Sequence, residues 1–354
     1  MLSPSKHEDQ RSDICRHFGT CGGCSLQDLT PDAYRAHKRE LVVTALKRAG
    51  VSAEVAEPLI VPPRSRRRAV FKWNNGRIGF HAAKSHAIVD MRECLVLTPG
   101  LFDLVQALRE RLEFFKQPAE IHASESLTGF DLAFRSEQKL TPSLTAALAK
   151  AMEGLGVARL VFNNALVLET CAPEVDEGGV RVKLPHQAFL QSTHQGEAAL
   201  QAKVLEIAGK AKSVADLFAG VGTFALPLAR KAKVHAVEQD GPALAALAAA
   251  AKSSSLKPVT TEVRDLFKLP LTPAELTPYD AVVLDPPRAG AQAQARMLAK
   301  SAVPAIAYVS CDAGSFARDA ALLAQGGYRI GRVTPIDQFL WSSHIELVGN
   351  FERP

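Results

Sequence analysis

Short apolar runs alternate with helical stretches through the second half of the chain. Val214 to Phe218, Lys233 to Val237, Val259 to Arg264, Tyr279 to Leu284 and Ala305 to Val309 each read as a strand. Helices open between them at Phe224, Pro242, Gln292 and Gly314, and strands at Tyr328 to Ile336 and His344 to Asn350 close the series. Nearly continuous apolar strands separated by helices predict an α/β fold built on a doubly wound sheet. Polar residues cut off three of the strands at the same end. The first runs into Ala219-Gly220-Val221-Gly222-Thr223, the fourth into Asp285-Pro286-Pro287-Arg288, and the fifth into Ser310-Cys311-Asp312. The carboxyl ends of such strands form a ligand crevice, so a glycine turn, an acid and a thiol arrive at one edge.

The first half has a different rhythm. Thr30 to Gly50 reads as a helix, with Pro31 in its first turn, Leu41, Ala45 and Leu46 at helical spacing, and Gly50 as a stop. Its charges, Arg35, His37, Lys38 and Arg39, read as a solvated face. Val61-Pro62-Pro63 reads as a linker, and Arg64-Ser65-Arg66-Arg67-Arg68 is the densest basic run. Ala69, Phe71 and Trp73 share one face of a strand, and Asn74-Asn75-Gly76 turns it back into Arg77 to His81. Arginines beside a hairpin with exposed aromatics suit phosphate contacts and base stacking; a solubilising sheet edge is the alternative. Further strands are predicted at Ala87 to Met91, Glu120 to Phe134 and Arg159 to Glu169. Helices are predicted at Leu101 to Phe115 and Ser143 to Met152, and a turn at Asp176 to Gly179. The expected division is a β-rich unit over residues 1–180 and the α/β unit over residues 181–354.

A length of 354 residues calls for more than one core, and a formal charge of +5 permits a polyanionic partner without requiring one. Met1 to Asp13 is polar, with no apolar run to serve as a signal peptide, and no stretch is long and apolar enough to cross a membrane. A cytoplasmic, monomeric protein is the expectation, and disulfides are not expected there. The six cysteines therefore need another account. Cys15, Cys21 and Cys24 form C-x5-C-x2-C, with Gly19, Gly22 and Gly23 allowing the tight folding that turns three sulfurs to one centre. Cys94, Cys171 or a histidine would supply a fourth ligand. Zinc sites more often pair two short knuckles, so the spacing favours an iron–sulfur cluster without closing the zinc alternative. Cys171, alone before Ala172-Pro173, reads as structural.

Gly220-Val-Gly222-Thr-Phe-Ala225 matches the dinucleotide fingerprint, and Glu238 falls at the distance of a ribose partner. S-adenosylmethionine carries the same ribose without a pyrophosphate. A dehydrogenase leaves Asp285-Pro-Pro-Arg288 and the strand-end Cys311 without a role, whereas a methyltransferase uses both. Uracil carbon 5 is a poor nucleophile. A Cys311 thiolate adding to carbon 6 creates an enolate that attacks the sulfonium methyl group, for which local activation of the thiol is expected. A base must then take the carbon 5 proton. Alternation in His344-Ile345-Glu346-Leu347 puts His344 and Glu346 on one face, which makes Glu346 the base candidate.

With these motifs in place, the chain resembles the RNA uracil-5-methyltransferase family that includes the iron–sulfur ribosomal RNA enzymes. The likeness runs from Cys15 to the end and rests on the cysteines, Phe189-Leu190-Gln191, Asp216-Leu-Phe-Ala-Gly-Val-Gly-Thr-Phe, Asp285-Pro-Pro-Arg, Ser310-Cys311-Asp312, Arg318-Asp319 and His344-Ile-Glu346. It implies a Rossmann-like class I methyltransferase domain beside an iron–sulfur, β-rich domain. It implies a 4Fe-4S cluster on Cys15, Cys21, Cys24 and Cys94. Gln191, Phe218, Thr223, Glu238, Asp265 and Asp285 would contact S-adenosylmethionine or the target base, with Cys311 as nucleophile and Glu346 as base. RNA is the implied partner, ribosomal ahead of transfer RNA. Members often begin with a small β-barrel, whereas this sequence opens at the cysteines; Thr223 stands where asparagine is usual, and Ser342-Ser343 replaces a proline-containing approach to His344. A cytosine-5 RNA methyltransferase lacks its second proline-cysteine motif here. A non-catalytic metal-bearing RNA-binding protein is the remaining alternative, and it has no use for Cys311 and Glu346.

Overall fold

Five apolar strands, Ser213–Leu217, Lys233–Glu238, Val259–Val263, Ala281–Leu284 and Ala305–Ser310, pair in parallel in the computed structural model, which describes residues 14–353. The polar Met1 to Asp13 stretch lies outside the described residues. Ser213–Leu217 has the second and third strands on one side and the fourth and fifth on the other, so the strand order reverses beside it. That is where a crevice opens at strand carboxyl ends. Arg329–Asp337 and Glu346–Glu352 extend the sheet; Glu346–Glu352 is inserted between Ala305–Ser310 and Arg329–Asp337 and runs antiparallel to both. The last strand begins at Glu346, not at His344. His344 is exposed in the turn before it while Glu346 is buried, so the two do not share a strand face as alternation had predicted.

The boundary after residue 180 does not hold. Helix Pro31–Arg48 packs on the C-terminal sheet, placing Val42 and Leu46 in one core with Leu217, Tyr308, Phe316 and Phe351. Strand Leu59–Ile60 then pairs in parallel with Ile336 and Asp337 as the edge of that sheet. Lys38, read as a solvated charge, is fully buried there and bonds Asp337 Oδ1 at 2.8 Å. The chain thus starts in one layer, leaves it after Val61-Pro62-Pro63, and returns.

The second sheet has seven strands in the order Ile88–Asp90, Arg77–His81, Arg68–Asn74, Ala119–Ser126, Gly129–Arg135, Val157–Phe162 and Ala165–Glu169. Alternation decides its buried face. Phe71, Trp73, Ile121, Leu132 and Phe134 point to one side, where helices Pro99–Arg111 and Pro142–Ala151 cover them with Leu104, Leu108 and Leu148. Phe71 and Trp73 are therefore core residues, 0% and 1% exposed, and offer no stacking surface to a base. Their strand is also interior, so the basic run before it does not protect a sheet edge. Hairpin Glu174–Asp176/Arg181–Lys183 sets Val175 and Val182 in a core with Leu226 and Ala243. Helix His194–Ala208, which no sequence signal had marked, is capped by Thr193 Oγ1 accepting from Gly196 N at 2.9 Å. Among the described residues no helix is long and apolar enough to cross a membrane.

Candidate active site

Cys311 occupies a two-residue gap between strand Ala305–Ser310 and helix Ala313–Gln325. Asp312 caps that helix through Oδ1, which accepts from Ser315 N at 2.8 Å. Its other oxygen accepts from Arg288 Nε at 3.4 Å, so the arginine after the two prolines is held against the turn that carries the thiol. Ser310 pairs with Leu347 across the neighbouring strand, which brings Glu346 and Cys311 to adjoining strand ends. Gln338 Nε2 donates to Glu346 Oε2 at 2.9 Å and to Gln191 Oε1 at 2.7 Å, and Gln191 Nε2 donates to Asp285 Oδ2 at 3.3 Å. Gln338 Oε1 accepts from Ser192 N at 2.9 Å. Two amides therefore tie the carboxylates of Asp285 and Glu346 into one line. Gln338 was not among the residues singled out in the sequence; it lies between motifs and has no spacing signal of its own.

These acids carry their protons high. Burial lifts the Glu346 carboxyl to about 8, with the Asp285 carboxylate adding to the effect. Burial lifts Asp285 itself to about 7. Asp216 is fully buried, neither of its carboxyl oxygens has a hydrogen-bond partner, and it too is pushed well above the usual range by burial and then by Asp285. The Cys311 thiol follows, raised to about 11 by burial and then by Glu346 and Asp285. A backbone hydrogen bond and the Arg288 charge act on the thiol in the opposite, lowering direction. A buried acidic cluster of this kind favours a cationic ligand, and a positive charge in the crevice would lower all four groups at once.

The donor candidates stand side by side along the sheet. Phe218 follows the first strand with φ of 65°, a left-handed conformation unusual for a residue with a side chain, and its ring lies 5.5 Å from that of Phe267. Gly222 has φ of 104°, and a Cβ there would come within 2.9 Å of Leu226, so the turn admits only glycine. Glu238 ends the second strand, with Oε2 accepting from Gly220 N at 3.1 Å and Oε1 from Gln239 N at 2.7 Å. Asp265 follows the third, its carboxyl held below the usual range by Lys268. Gln191 and Asp285 join this group through their mutual bond. Thr223 departs from it, because its hydroxyl donates to Glu177 Oε1 at 3.4 Å, behind the glycine turn.

The basic run divides. Arg67 is fully buried, donating to Glu197 Oε2 at 2.5 Å and Gln191 O at 3.1 Å and lying 2.7 Å from His194 Nδ1. It is a strut between the two sheets and is not available to a phosphate. Arg68 sits with its guanidinium 4.3 Å from the Phe189 ring, and burial lowers it to about 10 despite the Glu346 charge. Arg64 is exposed.

Cys15, Cys21, Cys24 and Cys94 meet on the wall of one cavity of about 440 Å³, which Phe339 and His344 close from the side of Glu346. All four are free thiols. Burial pushes Cys24 up to about 12, with Cys94, Cys21 and Cys15 adding to the effect. Among the described residues no three His, Cys, Asp or Glu converge closely enough to hold a single metal ion. Cys171 is exposed and apart from them.

Residues 156–352 match the tRNA (uracil-5-)-methyltransferase family. An RNA methyltransferase of Agrobacterium fabrum is 44% identical over 360 residues, covering 98% of this chain and 86% of the relative. A 23S rRNA (uracil(1939)-C(5))-methyltransferase of Halomonas elongata is 34% identical, over 96% of this chain and 76% of the relative. Among solved structures, the tRNA (uracil-54, C5)-methyltransferase of Pyrococcus abyssi with S-adenosyl-L-homocysteine superimposes with a TM-score of 0.75 at 22% identity, over 93% of this chain and 85% of that one. The last of these is a likeness of fold.

Proposed function

Because the chain belongs to the tRNA (uracil-5-)-methyltransferase family and is an RNA methyltransferase, we propose that it methylates carbon 5 of a uridine in ribosomal RNA through a Cys311 adduct. The observation that carries this reading is the placing of Glu346 and Cys311, 35 positions apart in sequence, at adjoining strand ends beside a buried acidic crevice. S-adenosylmethionine is the cation that this crevice favours. In this reading Glu238 takes its ribose, Phe218 and Phe267 its adenine, and Asp285 and Asp216 its positive charges.

The bond changes balance as follows. Cys311 Sγ adds to uracil carbon 6 and its proton passes to solvent along the groove that it shares with Arg288 and His344. Carbon 5 takes the sulfonium methyl group, and neutral S-adenosylhomocysteine remains. Glu346 then removes the carbon 5 hydrogen as a proton, and the Sγ–carbon 6 bond breaks with its electron pair returning to sulfur. Loss of the sulfonium charge raises the affinity of Glu346 for a proton at the step that requires it. Gln338 holds the carboxylate in place throughout.

Four cysteines lining one cavity make a donor set of the chemistry that a 4Fe-4S cluster takes, four thiolates for four irons. Cys15, Cys21, Cys24 and Cys94 would hold it. When bound, such a cluster supplies iron–thiolate bonds that cross-link the N-terminal loop to residue 94. Protein purified without oxygen should then carry about four irons per chain, and stoichiometric zinc without iron would overturn the assignment.

The target is read as ribosomal from the Halomonas relative. Ribosomal and transfer RNA from a cytoplasmic extract of a strain lacking the gene should be mapped by mass. Loss of one 5-methyluridine from ribosomal RNA supports the reading; a loss from transfer RNA alone overturns the target, and unchanged RNA overturns the reaction.

A further inference from the structure

The seven-stranded sheet has helices on one face only. Strand register arranges the other face in rows. Val70, His122, Ala133 and Val161 lie side by side across four strands. On one side of this row Asp131 is bound to Arg159, at 2.6 Å, and on the other Lys72 is paired with Glu120, so those charges neutralise one another. The middle row is left as a small, mostly apolar floor. Over it lies a cavity of about 370 Å³, walled by Arg68 and Arg135 and closed by the segment at Phe189. The Phe189 ring is 64% exposed despite its size. His122 Nε2 is shielded from solvent and has no hydrogen-bond partner; Glu120, its nearest carboxylate, is 3.6 Å away. Neither Arg68 nor Arg135 is paired with a carboxylate among the described residues, and Arg135 instead steadies the closing segment through Gln187.

Each feature matches one part of a nucleotide. A flat apolar floor about the width of four strands accepts a base. The His122 ring, partly exposed and with its Nε2 turned toward Glu120, meets the base edge with the rest of the imidazole, and two unpaired guanidiniums answer the flanking phosphates. Burial and the Arg135 charge hold His122 below its ordinary range, so at neutral pH it is an uncharged ring that donates at one nitrogen and accepts at the other. Arg68 lines this cavity and feels the charge of Glu346, which puts the cavity next to the reactive crevice.

We infer that this bare sheet face is a second nucleoside site, which holds an unpaired base of the substrate RNA near the target uridine while the target occupies the crevice at Cys311. The inference rests on the RNA methyltransferase reading. The site takes an unpaired nucleotide because the segment Gln187 to Phe189 lies over its floor and a base paired to a partner strand would meet that segment. It therefore selects RNA in which the bases around the target are unstacked, and it acts on binding, not on bond making.

The test uses the full-length protein, S-adenosylmethionine and total RNA from a strain lacking the gene. His122→Ala and Arg135→Ala should each raise KM for RNA by about tenfold, with kcat and S-adenosylmethionine affinity within about twofold of wild type. Val70→Glu, at a position already 40% exposed and so tolerant of change, should do the same by placing a carboxylate on the floor. Ultraviolet cross-linking of the same RNA should mark peptides containing His122 or Phe189 in wild type and lose the His122 mark in Val70→Glu. Unchanged KM in all three variants, or cross-links confined to other peptides, overturns the site. Cross-links at His122 without methyl transfer by wild-type protein would instead overturn the reaction and leave the site standing.

Discussion

The side-chain nitrogen of Gln338 reaches Glu346 at 2.9 Å from one side of a turn whose other end carries His344. Both residues are buried; the same nitrogen also donates to Gln191 Oε1, and the Gln338 oxygen accepts from Ser192 N. Glu346 therefore has one orientation, set by an amide that has no freedom of its own.

Replacing Glu346 by Gln keeps shape and removes the basic oxygen. Methyl transfer should proceed and release should stall, leaving a covalent protein–RNA complex that survives denaturing electrophoresis and carries one transferred methyl group. Cys311→Ala should form no complex, alone or with Glu346→Gln. Turnover of Glu346→Gln near the wild-type rate would assign the proton to another base.

Gln338→Ala frees the carboxylate without removing it. A positioned base contributes roughly 100-fold to 10,000-fold, and a misplaced one loses part of that. The expected outcome is kcat lower by about tenfold or more, partial accumulation of the same adduct, and unaltered S-adenosylmethionine affinity. Wild-type kcat would show that burial alone places Glu346.

The raised Glu346 carboxyl also predicts how stability depends on pH. The folded protein holds this proton up to about 8, whereas an ordinary glutamate loses it near 4.5. The contribution is full below the ordinary value and disappears as pH rises through the folded one. Wild-type protein should thus melt lower at about pH 9 than at about pH 6, and Glu346→Gln should flatten that slope. The free enzyme's activity should rise with pH over the same range. A melting temperature equal in both proteins at the higher pH would contradict the buried, proton-holding state.

Lys38 and Asp337 form an ion pair with both side chains fully buried, and the same ammonium donates to His344 O at 2.6 Å. Removing one partner leaves a charge without compensation, so Lys38→Ala should cost roughly 3–5 kcal/mol of stability by denaturant titration. A loss below about 1 kcal/mol would place the pair in contact with water.

The α/β half was legible because its strands are apolar on both faces and its turns are punctuated by glycine, proline and aspartate. Cys311, Glu346, Asp285 and Glu238 all stood at strand ends, where sequence position alone implies exposure to the crevice. The basic run was not legible in the same way. Arg66, Arg67 and Arg68 differ by one position each, and alternation sends Arg67 inward to Glu197 while its neighbours lie half-buried against Phe339 and Phe189; nothing in the run names the carboxylate waiting 130 residues later. Lys38 was misread for the same reason, since Asp337 is 299 residues away. The helix His194–Ala208 escaped because a single Thr193 cap and a sparse apolar stripe at Leu200, Val204 and Ala208 resemble ordinary loop composition. Long-range pairing of charge is what a one-dimensional pattern does not carry.

Helix Pro31–Arg48 has a consequence for synthesis. Its Tyr34 hydroxyl bonds Asp337, and strand Leu59–Ile60 pairs with the same strand, so the first described helix is completed by residues near the chain's end. On a ribosome this helix emerges with its apolar stripe unpartnered and waits until nearly the whole chain has followed, at roughly 5–20 residues per second. The seven-stranded sheet, made of strands close in sequence, has its partners long before. The seven-stranded sheet can therefore form first, while the cysteine loop, which bonds Trp341 O through Ser25 N and Leu26 N, waits for the segment that leads into Glu346.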